Sequence, residues 1–480
     1  MVKPKYKLIN GLSMPAYEVA KDLGLKPYRA PFKIYLKTRL QNLGSLDGVV
    51  KVQYSTSEPW RIIIPERYET VIKGNSIKEF VDTIEYSIEE LHPDSEYEDT
   101  INAVFTPVGA EQEDIVVRFT PRFTTGYGIK TYEATNDPKQ RKIHYMAGRY
   151  WFFFSNGTKI YYQHSIDTVN WSSPIPLFGD RFSPILQGFR FDTFFDGTFL
   201  HLAWWKPADI YYVRGTPNTD GTITFGTEQY VDSIGMQTIS LSVDTGGYPW
   251  IAIDGPTPDL TENQVVVYKS STNDGTWVTA AGFPQTLETT TSAVRCTILQ
   301  APLGKMIAFW TVKEDYARAR VWDGTSWGLT KLSSIQVLGE PSYGAVVKGS
   351  IAHIVYASYS GLTYETFNAD TQEFGDLVES VIDEPYTTGT SWGMITLDDA
   401  TGDIYISWIR IEGVTHLLRR RRRLSTGVWE DPATVAIIQP PNDLNRPTQS
   451  HLVTPAGIGY AWVVGSMPGE YETRILFTPI

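Results

Sequence analysis

Gly148-Arg-Tyr-Trp-Phe-Phe-Phe154 decides the fold, because six further segments of the same kind follow it. They are Gly197-Thr-Phe-Leu-His-Leu-Ala-Trp, Gly247-Tyr-Pro-Trp-Ile-Ala-Ile, Gly304-Lys-Met-Ile-Ala-Phe-Trp, Gly349-Ser-Ile-Ala-His-Ile-Val-Tyr, Gly402-Asp-Ile-Tyr-Ile-Ser-Trp and Gly457-Ile-Gly-Tyr-Ala-Trp-Val. Each opens at a glycine and runs into an apolar, aromatic-rich stretch, the composition of a buried strand. Successive glycines lie 49, 50, 57, 45, 53 and 55 residues apart. A repeat at that period means stacked copies of one supersecondary unit, and each interval accommodates one four-stranded antiparallel sheet.

A second recurrence sits some twenty residues further into each unit. Ser165-Ile-Asp167-Thr-Val-Asn-Trp171 and Ser271-Thr-Asn273-Asp-Gly-Thr-Trp277 share Ser-x-Asp/Asn-x-x-x-Trp. Asp323 with Trp327, Asp370 with Phe374 and Ser425 with Trp429 keep the polar-to-aromatic spacing, and Asp220 with Phe225 has one extra residue. A short polar side chain can bond backbone N–H groups inside a tight turn, while the aromatic packs back between sheets. These twelve residues therefore read as structural blade turns.

Such sheets point to an all-β chain with a β-propeller over residues 126–480, of seven blades, or six if one repeat is a false match. The hairpins resemble shortened Asp-box turns of sialidase-like propellers, whose usual form is Ser-x-Asp-x-Gly-x-Thr-Trp. The seventh unit ends at Arg474-Ile-Leu-Phe-Thr-Pro-Ile480 without its own hairpin. Ring closure is then expected from Tyr127-Gly-Ile-Lys-Thr-Tyr-Glu133 or Lys142-Ile-His-Tyr-Met146.

The sialidase resemblance implies three arginines on a substrate carboxylate, a Tyr/Glu nucleophile pair, an Asp acid/base and an Arg-Ile-Pro-like motif at the first blade. The nearest matches are Tyr28-Arg-Ala-Pro31, ahead of the repeats, and Arg181-Phe-Ser-Pro184, with different middle residues. Arg190, Arg214, Arg295 and Arg318 do not fall at equivalent repeat positions. The sequence thus lacks the family's catalytic pattern, and the expectation is a protein that is not an enzyme.

Upstream of 126 the texture changes to short alternating runs, including Phe32-Lys-Ile-Tyr-Leu-Lys-Thr-Arg-Leu40, Val49-Val-Lys-Val-Gln-Tyr54 and Phe80-Val-Asp-Thr-Ile-Glu-Tyr86, separated by turn residues. This is the rhythm of half-buried strands, and residues 31–125 resemble an immunoglobulin-like, adhesion-type β-sandwich. Residues 1–30 carry Pro15 and Pro27 and read as an N-terminal arm, either a partly ordered tail or a segment docking on a neighbouring subunit.

Composition excludes several classes. Aromatics at 13% and hydrophobics at 42% exclude a disordered chain. No apolar run reaches the roughly 18 to 20 residues of a membrane span, and the N-terminal residues never become the apolar stretch of a secretory signal. A net charge of -12 argues against a general nucleic-acid binder. One cysteine, Cys296, leaves no disulfide framework, and the seven histidines form no metal-ligand spacing, so no cofactor and no metal is expected. Asp398-Asp-Ala-Thr-Gly-Asp403 reads as a β-turn rather than a calcium loop.

Two groups remain as binding or interface candidates. In Arg419-Arg-Arg-Arg-Arg423, strand alternation puts Arg419, Arg421 and Arg423 on one face and Arg420 and Arg422 on the other, either solvated or set against an acidic neighbour. Among aromatics placed on loops, Tyr343, Tyr359 and Tyr386 are candidates for stacking on a glycan. The combination of arm, sandwich, propeller and missing export signal suggests a non-enzymatic structural and binding protein on a virion surface, such as a tail fibre, spike or capsid decoration. Its expected partners are other subunits of an assembly, as a homo-oligomer, and a cell-surface glycan, with no nucleic acid and no membrane span. The alternatives are a sialidase-like glycoside hydrolase with its site at the propeller centre, and an intracellular propeller scaffold.

Overall fold

The computed structural model describes residues 6–8, 32–57, 59, 62–86, 96–98, 101–109, 113–119, 122–124, 134–135, 137–157, 159–177, 188–206, 209–337, 343–358, 361–376, 378–382, 393–413, 415–438, 445–464 and 472–480. Among the described residues the regular elements are all β-strands apart from one 3-10 turn, Gly188–Arg190. The chain divides into two compact units, Met1–Lys130 and Thr131–Ile480.

Among the described residues, the first unit holds two four-stranded antiparallel sheets and a strand pair. One sheet orders Tyr6–Leu8, Phe32–Asn42, Ile77–Tyr86 and Ile62–Ile63; the other orders Tyr68–Ile72, Gly48–Thr56, Ile101–Pro107 and Ile115–Phe119. Burial alternates along Ile101–Pro107, as expected when one face of a strand meets a core. Phe80 meets Phe105 edge-on at 5.1 Å and joins the two sheets, and Asp82 accepts from the Tyr54 and Tyr68 hydroxyls on the facing sheet. Within the 1–30 segment expected as an arm, Tyr6–Leu8 pairs antiparallel with Leu40–Asn42 and extends the first sheet. Residues 9–31 lie outside the described residues.

The second unit contains, among the described residues, seven antiparallel sheets in chain order. The first is Ile143–Met146, Arg149–Ser155, Ile160–Ser165 and Ile175–Leu177, each strand pairing with the next. The same up-and-down order builds the others, whose opening strands are Phe191–Phe195, Thr238–Val243, Val294–Gln300, Tyr343–Lys348, Met394–Leu397 and Asn445–Gln449. Opening strands of adjacent sheets lie against one another and surround a common axis, an arrangement consistent with a β-propeller. The seven apolar segments of the sequence repeat are the second strand of each sheet, one place out from the axis. Their glycines all occupy the preceding hairpin turn with φ between 57° and 99°, the region where a side chain is strained.

Sheets pack through apolar clusters that each draw on two neighbours. Leu299, Phe309 and Val321 of the fourth sheet join Tyr343, Ile354 and Phe367 of the fifth, for example. Closure comes from the seventh sheet, Asn445–Gln449, Ile458–Val464 and Glu472–Thr478. Phe477 of its last strand packs on Tyr150 at 5.1 Å and on Trp171 at 6.2 Å, both in the first sheet. Lys142-Ile-His-Tyr-Met146 does not complete the seventh sheet, because Ile143–Met146 is already paired with Arg149–Phe152 as the opening strand of the first. Tyr127–Glu133 lies outside the described residues.

One interface carries a carboxyl that pairs with no cation among the described residues. Glu365 is fully buried between the fourth and fifth sheets, bonded by the Tyr356 hydroxyl at 2.9 Å and Ser333 Oγ at 3.0 Å. Burial pushes its pKa up to about 7, and those two hydroxyls only partly offset this. A carboxyl raised in the folded state favours folding below its unfolded pKa, and that stability is lost as pH rises through the folded value. Glu365→Gln keeps both partners and cannot ionise, so the variant should be more stable than the parent by about 3 kcal/mol at pH 8.5 and not at pH 4.5. Urea unfolding at the two pH values measures this difference.

Candidate functional site

The hairpin residues lie between the third and fourth strands of their sheets, except Phe225 and Phe374, which end the fourth strand. Asp167 accepts from the Val169 and Asn170 amides at 2.9 and 2.8 Å, and these bonds hold its carboxyl well below the usual range. Asp323 accepts from the Thr325 and Ser326 amides, which pull its pKa down to about 2, and Asp220 accepts from Thr222. Two turns use a neighbouring residue instead. Asp274, not Asn273, accepts the Thr276 amide, and Asn368, not Asp370, accepts inside its hairpin. Asn273 donates to Gly246 O in the first turn of its own sheet, whereas Asp370 pairs with Lys305 of the fourth sheet at 2.6 Å and so ties adjacent sheets. At Ser425 the roles reverse, and its amide donates to Asp403.

The aromatic partners follow one rule, each packing on the sheet before its own. Trp277 meets Tyr212, Trp327 meets Trp250, Phe374 meets Phe309 and Trp429 meets Tyr364, at 5.4 to 6.5 Å. Phe225 joins the first-sheet cluster around Trp151, and Trp171 reaches the last sheet through Phe477.

The arginine run is a clasp between sheets and not an open basic patch. It lies on Thr415–Arg423, the third strand of the sixth sheet, and its faces alternate as the sequence pattern requires. Arg421 donates to Val381 O and covers Trp429, and Arg423 pairs with Glu379 at 2.6 Å over the Tyr364 ring, toward the fifth sheet. Arg420 donates to Thr478 and Pro479 on the other side. Arg422 holds the buried Asp403 with two bonds, at 2.6 and 3.1 Å, and Arg419 donates to Pro432 O. All five are only partly exposed: Arg420, Arg421 and Arg423 are engaged by neighbouring sheets, Arg419 and Arg422 by groups of their own sheet.

Tyr343 is likewise no loop aromatic. It is fully buried on an opening strand, packs edge-on against Phe309 and donates to Phe309 O. Tyr359 and Tyr386 lie outside the described residues. Asp398 to Asp403 is the hairpin turn joining the first two strands of the sixth sheet, where Asp398 accepts from Ala400 and Thr401.

What the sequence reading missed lies on the axis. The polar stretch Asp137-Pro-Lys-Gln-Arg-Lys142 enters the ring where the opening strands begin, and most of it is buried. Lys139 Nζ donates to Thr238 Oγ1 at 2.6 Å, faces Asp254 at 3.4 Å and Asp137 at 3.8 Å, and lies over the Tyr343 ring. The Gln140 amide donates to Ile239 O at 2.5 Å. Lys142 Nζ sits 3.1 Å above the Phe191 ring and donates to Gly188 O and Phe191 O. His451 donates to Pro138 O. This one segment of the first sheet therefore bonds the second, third and seventh sheets and touches the fifth.

Beyond this hub the axis opens into a cavity of about 370 Å³ at the hairpin end of the opening strands, where Tyr145, Phe195, Gln300 and Val347 stand at or near the strand ends. Its other walls come from Ile143, Phe194, Val346 and His451 to Pro455, with Arg141 and His144 from the hub side. Thr193 Oγ1 donates to Arg141 O, so His144 Nε2, 2.8 Å from that oxygen, is the donor to it. Desolvation, reinforced by Arg141 and Lys142, pushes the His144 pKa down to about 3; burial drives that of His451 well below its ordinary value. Both imidazoles are neutral at pH 7.

No family model matches the sequence, and no curated protein matches it. Among solved structures it is similar to the BP39L lectin from Burkholderia pseudomallei, at 9% identity and TM-score 0.46 over 71% of this chain and 95% of that one. It is also similar to the WD40 domain of Toxoplasma gondii coronin, at 7% identity and TM-score 0.44 over 73% and 84%. The NanB sialidase from Streptococcus pneumoniae aligns over 100% and 99% at 10% identity and TM-score 0.37. These are β-propeller proteins. Among the described residues, no helix is long and apolar enough to cross a membrane.

The hub makes a stability prediction. Lys139→Met leaves two buried carboxylates, Asp254 and Asp137, without their shared ammonium. Breaking a buried pair in this way should cost about 3 kcal/mol in denaturant unfolding. Adding Asp254→Asn should cost clearly less than the sum of the two single changes.

Proposed function

We propose that the chain is a non-enzymatic binding protein: a seven-bladed propeller, preceded in sequence by an immunoglobulin-like module, that holds a small ligand in the axial cavity. The observation that carries this reading is the cavity lining. Among the described residues that line it, none is an Asp or Glu and one is an arginine, Arg141. Glycoside hydrolysis by its usual route needs two carboxyl groups flanking the scissile bond, and the sialidase pattern would need three arginines. What the lining does offer is apolar wall from Phe194, Phe195, Val346 and Val347, with a few hydrogen-bonding groups at fixed positions. This is the usual make-up of a small-molecule site. The fold gives no support to a role in a virion.

The test uses the full chain and a variant with the cavity filled, Val347→Trp. The parent should turn over no member of a fluorogenic glycoside panel above the buffer rate. A small-molecule screen by thermal shift should find ligands whose shift disappears in Val347→Trp. Turnover of a glycoside by the parent that is lost in Val347→Trp would establish the hydrolase instead.

A further inference from the structure

The cation on the cavity wall is under-partnered. Arg141 has a side chain only 12% exposed, stacked with its guanidinium carbon 4.8 Å from the Phe194 ring centre. Of its five guanidinium N–H groups, the described residues accept one, at Leu241 O, 3.0 Å from Nη1. The nearest carboxylate oxygen, Asp192 Oδ2, is 3.9 Å away. That carboxylate is already engaged by backbone: Oδ1 accepts from the Arg141 and Thr193 amides at 2.7 and 2.9 Å, and Oδ2 from the Leu241 amide at 2.8 Å. Asp192 thus positions the strand that carries Arg141 and leaves most of the guanidinium's donors unused. A buried guanidinium is costly unless its donors are met, and water or a ligand in the cavity must meet them.

The remaining chemistry narrows the ligand. Among the described residues, none that lines the cavity is acidic, and the one carboxylate near Arg141, that of Asp192, is taken up by backbone amides. Gln300 presents an amide from across the cavity, with no hydrogen-bond partner among the described residues. Much of the remaining wall is apolar, from Ile143, Phe194, Phe195, Val346 and Val347, beside the polar groups of Tyr145, His451 and Thr454. A planar guanidinium fork suits a planar two-oxygen acceptor, and the apolar wall suits a compact hydrocarbon body.

Resting on the reading of the axial cavity as a binding site, the geometry points to a small apolar carboxylic acid as its ligand, with the carboxylate on Arg141 and the hydrocarbon body against Phe194, Val346 and Val347. Inorganic anions lack the body, and neutral isosteres lack the charge. Both are predicted to bind weakly or not at all.

The experiment is calorimetric titration of the full chain with benzoate, with benzamide as its neutral isostere, and with inorganic phosphate. Benzoate should bind at least roughly tenfold more tightly than either, the scale of a charge-assisted hydrogen bond. Binding should be lost in Arg141→Met and in Val347→Trp; the second variant leaves the hub untouched and guards against a folding defect in the first. Equal binding of benzoate and benzamide, or benzoate binding unchanged in folded Arg141→Met, overturns the carboxylate assignment. Equal binding of phosphate reduces the site to a simple anion site and overturns it too. A neutral ligand whose binding is lost only in Val347→Trp would overturn this inference and leave the axial binding site standing, whereas no cavity-dependent binding of any probe would overturn both.

Discussion

A buried ammonium and its carboxylates at the centre of the ring are what the second unit depends on. Lys139 reaches Asp254 and Thr238 of the third sheet from a segment that belongs to the first, and Asp254 in turn accepts the Cys296 amide of the fourth. Sheets that otherwise touch only their neighbours are thereby joined across the axis. In a repeat architecture whose stability sums nearest-neighbour interfaces, such a hub adds coupling between sheets that are not adjacent. It also sets the floor of the axial cavity, because Arg141 follows two residues after Lys139 and is fixed through Asp192.

Around this centre, two devices act further out. The hairpin aromatics each pack on the preceding sheet, and Trp171 carries the rule across the point where the chain ends meet, through Phe477. The arginine strand does similar work with charge. Arg421 and Arg423 engage the fifth sheet and Arg420 the seventh, so the sixth sheet is gripped on both faces. Five consecutive arginines in an acidic chain are thus explained by their neighbours within the fold, and need no external polyanion.

The repeat was legible because its cause is local. A hairpin turn that needs positive φ selects glycine at Gly148, Gly247 and Gly457, and the strand after it must be apolar because it is covered on both faces. The alternation of the arginines was legible for the same reason, since it follows from strand geometry alone. Their partners were not, because Glu379, Val381 and Thr478 lie about 40 to 60 positions away in sequence. The hub was hidden more deeply. Asp137-Pro-Lys-Gln-Arg-Lys142 has the composition of an exposed loop, and only the long-range pairing of Lys139 with Asp254 makes its burial tolerable. Tyr343 misled in the opposite sense: Pro341 and Gly344 beside it suggest a loop, yet it stands on an opening strand. The Cβ of Gly344 would meet Gly393 O, so glycine there serves close packing of strands and not a turn.

The central claim is that the charged hub is an integral part of the ring, and native-state hydrogen exchange tests it most directly. The Arg141 amide, bonded to Asp192, should exchange only through global unfolding, with the same free energy as the Leu241 amide in the neighbouring opening strand. Exchange of Arg141 through a local opening, at a free energy well below that of Leu241, would contradict the account and make the segment a loosely held strap.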